Sequence, residues 1–359
     1  MNFGAIDPIL LLASLMVAAT PIMLAAIGEL VVERAGVLNL GVEGMMIVGS
    51  VLGFIAATGS GSPWLGFLVA ALSGAGLAVI FAVLTQFLLS NQVATGLALT
   101  LFGLGLAALL GQGYLGIKAP TFPDWHIPLL GDIPVIGPIV FQHDPMVYVG
   151  LGLVAGVWYF LTRTRAGLVL RAVGENHEAA HGLGYNVRAV RFAAILFGGA
   201  CAGLGGAYLS LVRVPTYAEG LTAGAGWIAL AIVVFASWRP WRLLLGAYLF
   251  GGVTVLQLNL QAANVSLLGI LPIVLAAAAV IALGRSVMKA GSDGQKRFGT
   301  AITCAVAALG FYVYGLTGWT FNEALWLSAS PYIATIVVLV IISAGGAPGS
   351  LGKTFHASR

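Results

Sequence analysis

Long apolar runs recur along the whole chain, and they constrain its fold more than any other feature. A bilayer-spanning helix needs about 20 mostly apolar residues. Of the 359 residues, 60% are hydrophobic and 8% are charged, whereas roughly a quarter are charged in soluble domains. The sequence therefore predicts an all-α polytopic integral membrane protein with about eleven transmembrane helices in a lipid bilayer. The predicted spans are residues 9–28, 37–58, 64–87, 93–112, 146–162, 192–212, 226–238, 243–262, 266–284, 299–317 and 331–345.

The basic residues are distributed unevenly between the two sides of the predicted membrane. If residues 163–191 face the cytoplasm and the spans alternate, only Lys118 and Arg213 of the 16 Lys and Arg residues lie outside. Cytoplasmic loops are enriched in Lys and Arg, so we expect the N-terminus outside and the C-terminus in the cytoplasm. The net charge of +4 then reflects topology and gives no indication of nucleic-acid binding.

The second predicted span carries polar groups that are costly to bury in a bilayer core and are therefore candidates for a function. Asn39 and Glu43 lie four residues apart, a spacing that puts both on one face of a helix. Glu43 is the only acidic residue predicted well inside a span. Two interpretations stay open: the pair lines a solute pathway, or Glu43 locks helices together through hydrogen bonds. Trp227 is open between stacking on a solute and anchoring at a membrane interface, and the interface is favoured.

Two short motifs look like catalytic signatures but lack the context that those signatures need. His177, Glu178 and His181 match the HExxH zinc pattern. A catalytic zinc needs a third protein ligand, however, and the next acidic residue, Glu219, is predicted across the membrane. Residues 347–354 resemble a phosphate-binding loop, but a membrane span precedes them and only residues 355–359 follow. We therefore predict no metal site, no cofactor and no catalytic residue in this chain.

Longer stretches form an ordered pattern that is far more specific than either motif. They are GELVVERAGVLNLGVEGMMIVGS at 28–50, NQVATGLALTLFGLGL at 91–106, IPLLGDIPVIGPIVF at 127–141, RAVGENHEAAHGLGYNV at 171–187, FGGACAGLGGAYLSLV at 197–212, EGLTAGAGWIALAIVVFASWRPWR at 219–242 and PYIATIVVLVIIS at 331–343, with LGKTF near the end. Together they resemble the membrane permeases of ATP-binding-cassette importers, in the branch for simple sugars, nucleosides and branched-chain amino acids. The first stretch is most similar to the nucleoside-type permeases.

The resemblance implies a transport subunit of a bacterial plasma (inner) membrane, with residues 1–359 forming one permease domain. It implies as partners two ATPase subunits that hydrolyse ATP, an external substrate-binding protein, and a second permease, either identical or homologous. It also implies that residues 163–191 form a cytoplasmic coupling loop, with a short helix that seats in a groove of the ATPase. The coupling pattern GENxxAAxxxG falls on Gly174, Glu175, Asn176, Ala179, Ala180 and Gly184.

Residues 266–326 depart from the resemblance, and they contain two apolar runs around a basic segment. We expect them to form an inserted helical pair. The expected function is import of a nucleoside, or of a related simple sugar, by alternating access. Two alternatives remain: a secondary transporter coupled to ions through Glu43, and an intramembrane zinc protease built on His177 and His181.

Overall fold

The computed structural model describes residues 8–120, 122, 125–126, 131–134, 136–262, 329–331, 333 and 347–355. The chain divides into two compact units, Pro8–Val253 with Tyr332–Arg359, and Met1–Asp7 with Thr254–Pro331. Nearly all described residues belong to the first unit; in the second they are 254–262 and 329–331. The predicted spans 266–284 and 299–317, most of the predicted span 331–345, and the predicted insert 266–326 lie outside the described residues.

The described part of the chain is helical, as the apolar runs predict. Its helices are α1 (Pro8–Arg34), α2 (Val42–Ser60), α3 (Pro63–Ala82), α4 (Gln92–Gly111), α5 (Pro145–Arg163), α6 (Arg165–Glu175), α7 (His177–Gly182), α8 (Val187–Tyr208), α9 (Ala225–Phe235) and α10 (Pro240–Ala262). Seven of them, α1 to α5, α8 and α10, are long and apolar enough to cross a membrane. This confirms a polytopic helical membrane protein. Helix α9 has 11 residues, fewer than a full span needs.

Helix α8 lies at the centre of the first unit, packed against α1, α2 and α3. Small residues on α8 allow this packing. A Cβ on Gly206 would overlap the carbonyl oxygen of Met46 in α2, and a Cβ on Gly203 would overlap that of Ala70 in α3. The helix backbones therefore touch directly, the arrangement that small residues permit in membrane bundles.

Helix α1 is longer than predicted and carries two acids into the bundle. It continues to Arg34 rather than ending near residue 28, so Glu29 and Glu33 are buried along its last turns. The prediction that Glu43 is the only acid inside a span is therefore wrong. Past the helix end, Gly36 adopts a φ of 83°, a conformation that glycine reaches without steric cost. The chain then turns back into the bundle, and α2 begins at Val42.

The two ends of the bundle hold different groups. At one end Arg34, Gly174 and Arg191 come together, and we call it the Arg191 end. At the opposite end Asp144 caps α5 and accepts a hydrogen bond from the Tyr208 hydroxyl at 2.6 Å. That end also carries two short paired strands, β1 (Trp125–His126) and β2 (Gln142–His143).

Candidate functional site

The predicted coupling loop, residues 163–191, contains two short helices rather than extended chain. A single residue separates α5 from α6, and a single residue separates α6 from α7. Thr164, Asn176 and Asn186 each accept a backbone N–H in the first turn of the helix that follows, at 3.0 Å. Such caps fix where a helix starts. The segment therefore has a defined shape, in which α7 follows α6.

The six residues of the GENxxAAxxxG pattern divide into an inner and an outer group. Gly174 and Ala180 face inward: a Cβ on Gly174 would overlap the carbonyl oxygen of Arg34, and Ala180 is buried. The exposed group is Glu175, Asn176, Ala179 and Gly184. Gly184 has a φ of 87° just past the end of α7, where nothing lies within 4 Å of an added Cβ. Its requirement for glycine is therefore conformational.

The C-terminal segment, residues 347–355, packs behind α7. The backbone N–H of Ser350 donates to the carbonyl oxygen of Gly174 at 2.8 Å, and its hydroxyl oxygen accepts from the backbone N–H of His177 at 3.1 Å. The Phe355 ring lies edge-on to the rings of His177 and His181, with centroids 5.4 and 5.2 Å apart. Residues 347–354, which resemble a phosphate-binding loop, thus support the inner side of α7 and form its base.

Arg191 joins this base to the helix bundle. Its side chain is fully buried, at 0% exposure. The guanidinium donates to the carbonyl oxygens of Ala35 at 3.2 Å and Lys353 at 3.0 Å, and to Nδ1 of His177 at 3.3 Å. One cation therefore ties together the end of α1, the C-terminal segment and the first residue of α7. The sequence indicated only a basic residue at the edge of a span, because its partners lie far away in the chain.

Exposed apolar side chains flank α7 on its outer surface. Leu183 is 76% exposed and Tyr185 is 42% exposed. They follow α7 directly, next to the exposed Gly184. Large apolar side chains beside polar ones on an exposed surface are typical of protein–protein contacts. Sequence reasoning named neither residue, although Leu183 stands within the GENxxAAxxxG stretch and Tyr185 directly follows it.

The geometry around His177 does not suit a metal ligand. Arginine can only donate, so the Nδ1 of His177 must accept from Arg191, which engages that nitrogen. Burial lowers the pKa of His177, and the charges of Arg191 and Lys353 lower it further, against the opposing charge of Glu178. Among the described residues, no group of three or more His, Cys, Asp and Glu side chains is placed to hold a metal ion.

Glu43 occupies a second polar site, inside the bundle. It stands in the first turn of α2 and is 4% exposed. Its carboxylate accepts from the Thr222 hydroxyl at 2.5 Å, the Gly224 N–H at 3.0 Å and the Gly226 N–H at 2.7 Å. The two backbone donors belong to the start of α9, where unpaired N–H groups and the helix dipole favour an anion. Glu43 thus locks α2 to a half-length helix.

Asn39 does not share a helix face with Glu43, so that prediction is wrong. The structure places Asn39 in the turn before α2, which begins only at Val42. Its side-chain amide lies 3.4 Å from Glu29 Oε2 and its backbone N–H lies 3.3 Å from Glu29 Oε1. Asn39 therefore hydrogen-bonds to Glu29, the buried acid of α1, whereas Glu43 accepts hydrogen bonds from the start of α9. The four-residue spacing suggested one face because the sequence does not show where the helix starts.

Trp227 stands in the first turn of α9, one residue after Gly226, and is 50% exposed. At 1.5 Å per residue, α9 spans about 16 Å, roughly half the thickness of a bilayer core. Its other end leads to Trp238, which receives a hydrogen bond from Arg34 at the Arg191 end. Trp227 therefore stands at the end of α9 that is far from Trp238.

Comparison with known proteins identifies the family. Residues 11–280 match the family described as branched-chain amino acid transport system / permease component. The match includes residues 266–280, which the sequence resemblance had left in the insert. No solved structure matches the chain.

Three relatives agree with the family match. The Haloferax volcanii protein TsgC13, which carries the name of a glucose ABC transporter permease protein, is 45% identical over 70% of this chain and 77% of its own length. The nucleoside ABC transporter permease protein NupC of Lactococcus lactis is 35% identical over 69% and 81%. The guanosine ABC transporter permease protein NupQ of Bacillus subtilis is 34% identical over 66% and 78%. With its membrane-length helices and this similarity, the chain belongs to the permease family of ABC transporters and is a transport subunit.

Proposed function

We propose that this permease carries a nucleoside across the plasma membrane for an ATP-driven importer, and that α7 with its flanking residues receives the movement of a partner ATPase. The observation that carries the proposal is the build of α7. Its outer side presents Glu175, Ala179 and Leu183, while its inner side is fixed to Arg191 and Ser350. A docking helix transmits movement to the bundle only if the contacts on its inner side hold it rigidly in place.

The partners follow from the transport mechanism. A solute cannot shift the equilibrium between two states of its carrier beyond its own difference in affinity for them, so uphill import needs a coupled energy source. We infer two ATPase subunits docked at the Arg191 end, a second permease, identical or homologous, and an external binding protein. This arrangement puts the Arg191 end and the C-terminus in the cytoplasm and the N-terminus outside, in agreement with the distribution of Lys and Arg.

The coupling assignment is tested with the complete transporter in proteoliposomes. We expect Glu175→Lys and Leu183→Asp to lower uptake at least about tenfold, because each change removes or repels a contact of the docking surface. Both side chains are exposed, so the permease should insert. Because Glu175 also lies 3.8 Å from Arg34, Leu183→Asp is the variant whose change is confined to the docking surface. Glu219→Lys is the matched control, since it makes the same charge change at an exposed site between α8 and α9. Normal uptake by both variants would refute the assignment.

The substrate is inferred from the relatives and from Trp227. Two of the three relatives carry names of nucleoside transporters. Trp227 offers an exposed aromatic face next to the start of α9, which Glu43 holds by hydrogen bonds. A nucleobase stacks on an aromatic ring through its own π-face, which favours binding without demanding one particular base. We infer that Trp227 lines the solute pathway, and that Glu43 and Asn39 position the elements around the pathway through their hydrogen bonds.

A simple sugar is the second candidate, because the relative with 45% identity carries the name of a glucose permease. Uptake of labelled guanosine, uridine and glucose by the complete transporter distinguishes the two. If a nucleoside is carried, Trp227→Ala should raise its KM several-fold and Trp227→Phe should restore it. Trp64→Ala is the control, because Trp64 has the same 50% exposure on α3. Uptake of glucose alone would make the chain a sugar permease.

An ion-coupled transporter remains an outcome of the same assay. Uptake that continues without ATP and stops when the ion gradient is dissipated would overturn the ATP-driven mechanism. Glu43, the acid that such a mechanism would use, already accepts hydrogen bonds from three protein donors.

A further inference from the structure

A basic pocket of about 520 Å³ lies at the Arg191 end of the first unit, between α5 and the start of α10. Arg34, Arg171, Arg239 and Arg242 line it, and no acidic side chain is among its lining residues. Because cations in one small space repel one another, such a pocket is stable only if its charge is offset. The coupling mechanism proposed above makes no use of it.

The described residues neutralise only a small part of this charge. Arg34 lies 3.8 Å from Glu175, whose side chain is 61% exposed, so solvent weakens that ion pair. The Nη2 and Nε of Arg34 donate to the carbonyl oxygen of Trp238, at 3.0 and 3.1 Å. The Nε of Arg171 is buried with no hydrogen-bond partner in the described part of the chain. Arg171, which lines the pocket, thus has a guanidinium N–H that lacks an acceptor among the described residues.

Two further features favour an anion at this place. Helix α10 begins at Pro240, which lines the pocket together with Trp241 and Arg242. The first N–H groups of a helix lack intrahelical acceptors, and the helix dipole adds a partial positive charge there. The start of α10 therefore adds to the positive potential of the four arginines.

The pocket also has the chemistry of a membrane interface. Trp158, in the second-last turn of α5, and Trp241 have ring centroids 6.2 Å apart. Both line the pocket beside the exposed Arg239 and Arg242. Tryptophan is enriched where the hydrocarbon core meets the headgroups, and basic pockets between transmembrane helices are suited to anionic headgroups. This composition is the one expected of a pocket that opens at the level of lipid headgroups.

We propose that this pocket binds the phosphate of an anionic membrane lipid, held by the guanidinium groups of Arg34, Arg171, Arg239 and Arg242. Guanidinium is planar and donates to two phosphate oxygens at once, which suits a phosphodiester. The lipid's acyl chains extend into the bilayer past the tryptophans. Since Arg34 also faces Glu175, the occupied pocket adjoins the coupling surface. The proposal requires the Arg191 end to lie at a membrane surface, and it holds whichever solute the permease carries.

The purified permease tests this by native mass spectrometry after exchange into mixtures of phosphatidylglycerol and phosphatidylcholine. We expect one phosphatidylglycerol to remain bound in preference to phosphatidylcholine. Arg239→Gln with Arg242→Gln should weaken retention at least about tenfold, because each loses a charge-assisted hydrogen bond. The exposed pair Arg163→Gln with Arg165→Gln is the matched control and should retain the lipid. Arg239→Lys with Arg242→Lys keeps the charge and should recover part of the retention.

The other outcomes would overturn the proposal. Equal loss in the Arg163 and Arg165 control would show general surface charge rather than a pocket. Stabilisation of the detergent-solubilised protein by millimolar inorganic phosphate, without lipid retention, would assign the site to free phosphate. Equal retention of both lipids would remove the anion requirement. Transport measured in the same variants keeps the two proposals apart, since loss of lipid with normal coupling would leave the proposed function intact.

Discussion

Replacing Glu43 by glutamine is the most direct perturbation of the intramembrane site. The carboxylate accepts from Thr222, Gly224 and Gly226, and all three donors lie near the start of α9. Glutamine has one oxygen in place of two, so at least one buried backbone N–H would face an NH₂ group. An unsatisfied buried donor costs about 1–3 kcal/mol, and each remaining hydrogen bond loses roughly 1 kcal/mol without the charge.

The helix dipole adds to this loss. An anion at a helix N-terminus stabilises by about 0.3–1 kcal/mol, and by up to about 2 kcal/mol when partly buried. The total expected for Glu43→Gln is therefore about 3 kcal/mol or more. For a chain of this size 1 kcal/mol corresponds to about 2 °C in Tm, so we expect a fall of about 6 °C or more.

The assay is thermal unfolding of the purified permease in one detergent at a fixed scan rate, followed by intrinsic fluorescence. Glu219→Gln is the control: it makes the same chemical change at an exposed acid in the loop that leads to α9, and its Tm should stay within about 1 °C. An unchanged Tm for Glu43→Gln would refute the reasoning that the carboxylate locks α2 to α9. If uptake per folded molecule fell while Tm did not change, Glu43 would be a pathway residue instead.

Three further changes test other contacts. Gly206→Ala should destabilise the bundle by about 3 kcal/mol, the upper part of the range for overpacking, because the new Cβ would overlap the Met46 carbonyl oxygen. Gly59→Ala, with nothing within 4 Å, should not lower the Tm. Arg191→Leu should free the C-terminal segment, seen as faster proteolysis within residues 347–355, because three acceptors lose a buried donor, at about 1–3 kcal/mol each. The pKa of His177 in the folded protein lies below its ordinary value of 6.5, so its contribution to stability is intact above pH 6.5 and is lost as the pH falls. Proteolysis of the C-terminal segment should therefore become faster in acid, and His177→Asn should flatten this pH dependence.

The membrane class of the protein could be predicted because it is written in local sequence; the coupling segment stays a proposal. An apolar run of helical length predicts a span whatever it packs against. Helices α2 to α5 and α8 to α10 begin and end within five residues of the predicted spans, and α1 extends further. The GENxxAAxxxG pattern marked the stretch that forms α7. It did not separate Gly174 and Ala180, which face inward, from the exposed Glu175 and Ala179, because orientation depends on the contacts behind the helix.

The sequence by itself determined a bundle of membrane-crossing helices and a permease of this family, since hydropathy, charge distribution and an ordered similarity are properties of short or collinear stretches. Only the tertiary structure decided what the polar groups do. Glu43 and Thr222 are 179 residues apart in the chain, and Arg191 and Lys353 are 162 apart. In a medium without water each buried polar group must find a partner within the fold, and that partner is set by packing rather than by neighbourhood in the sequence.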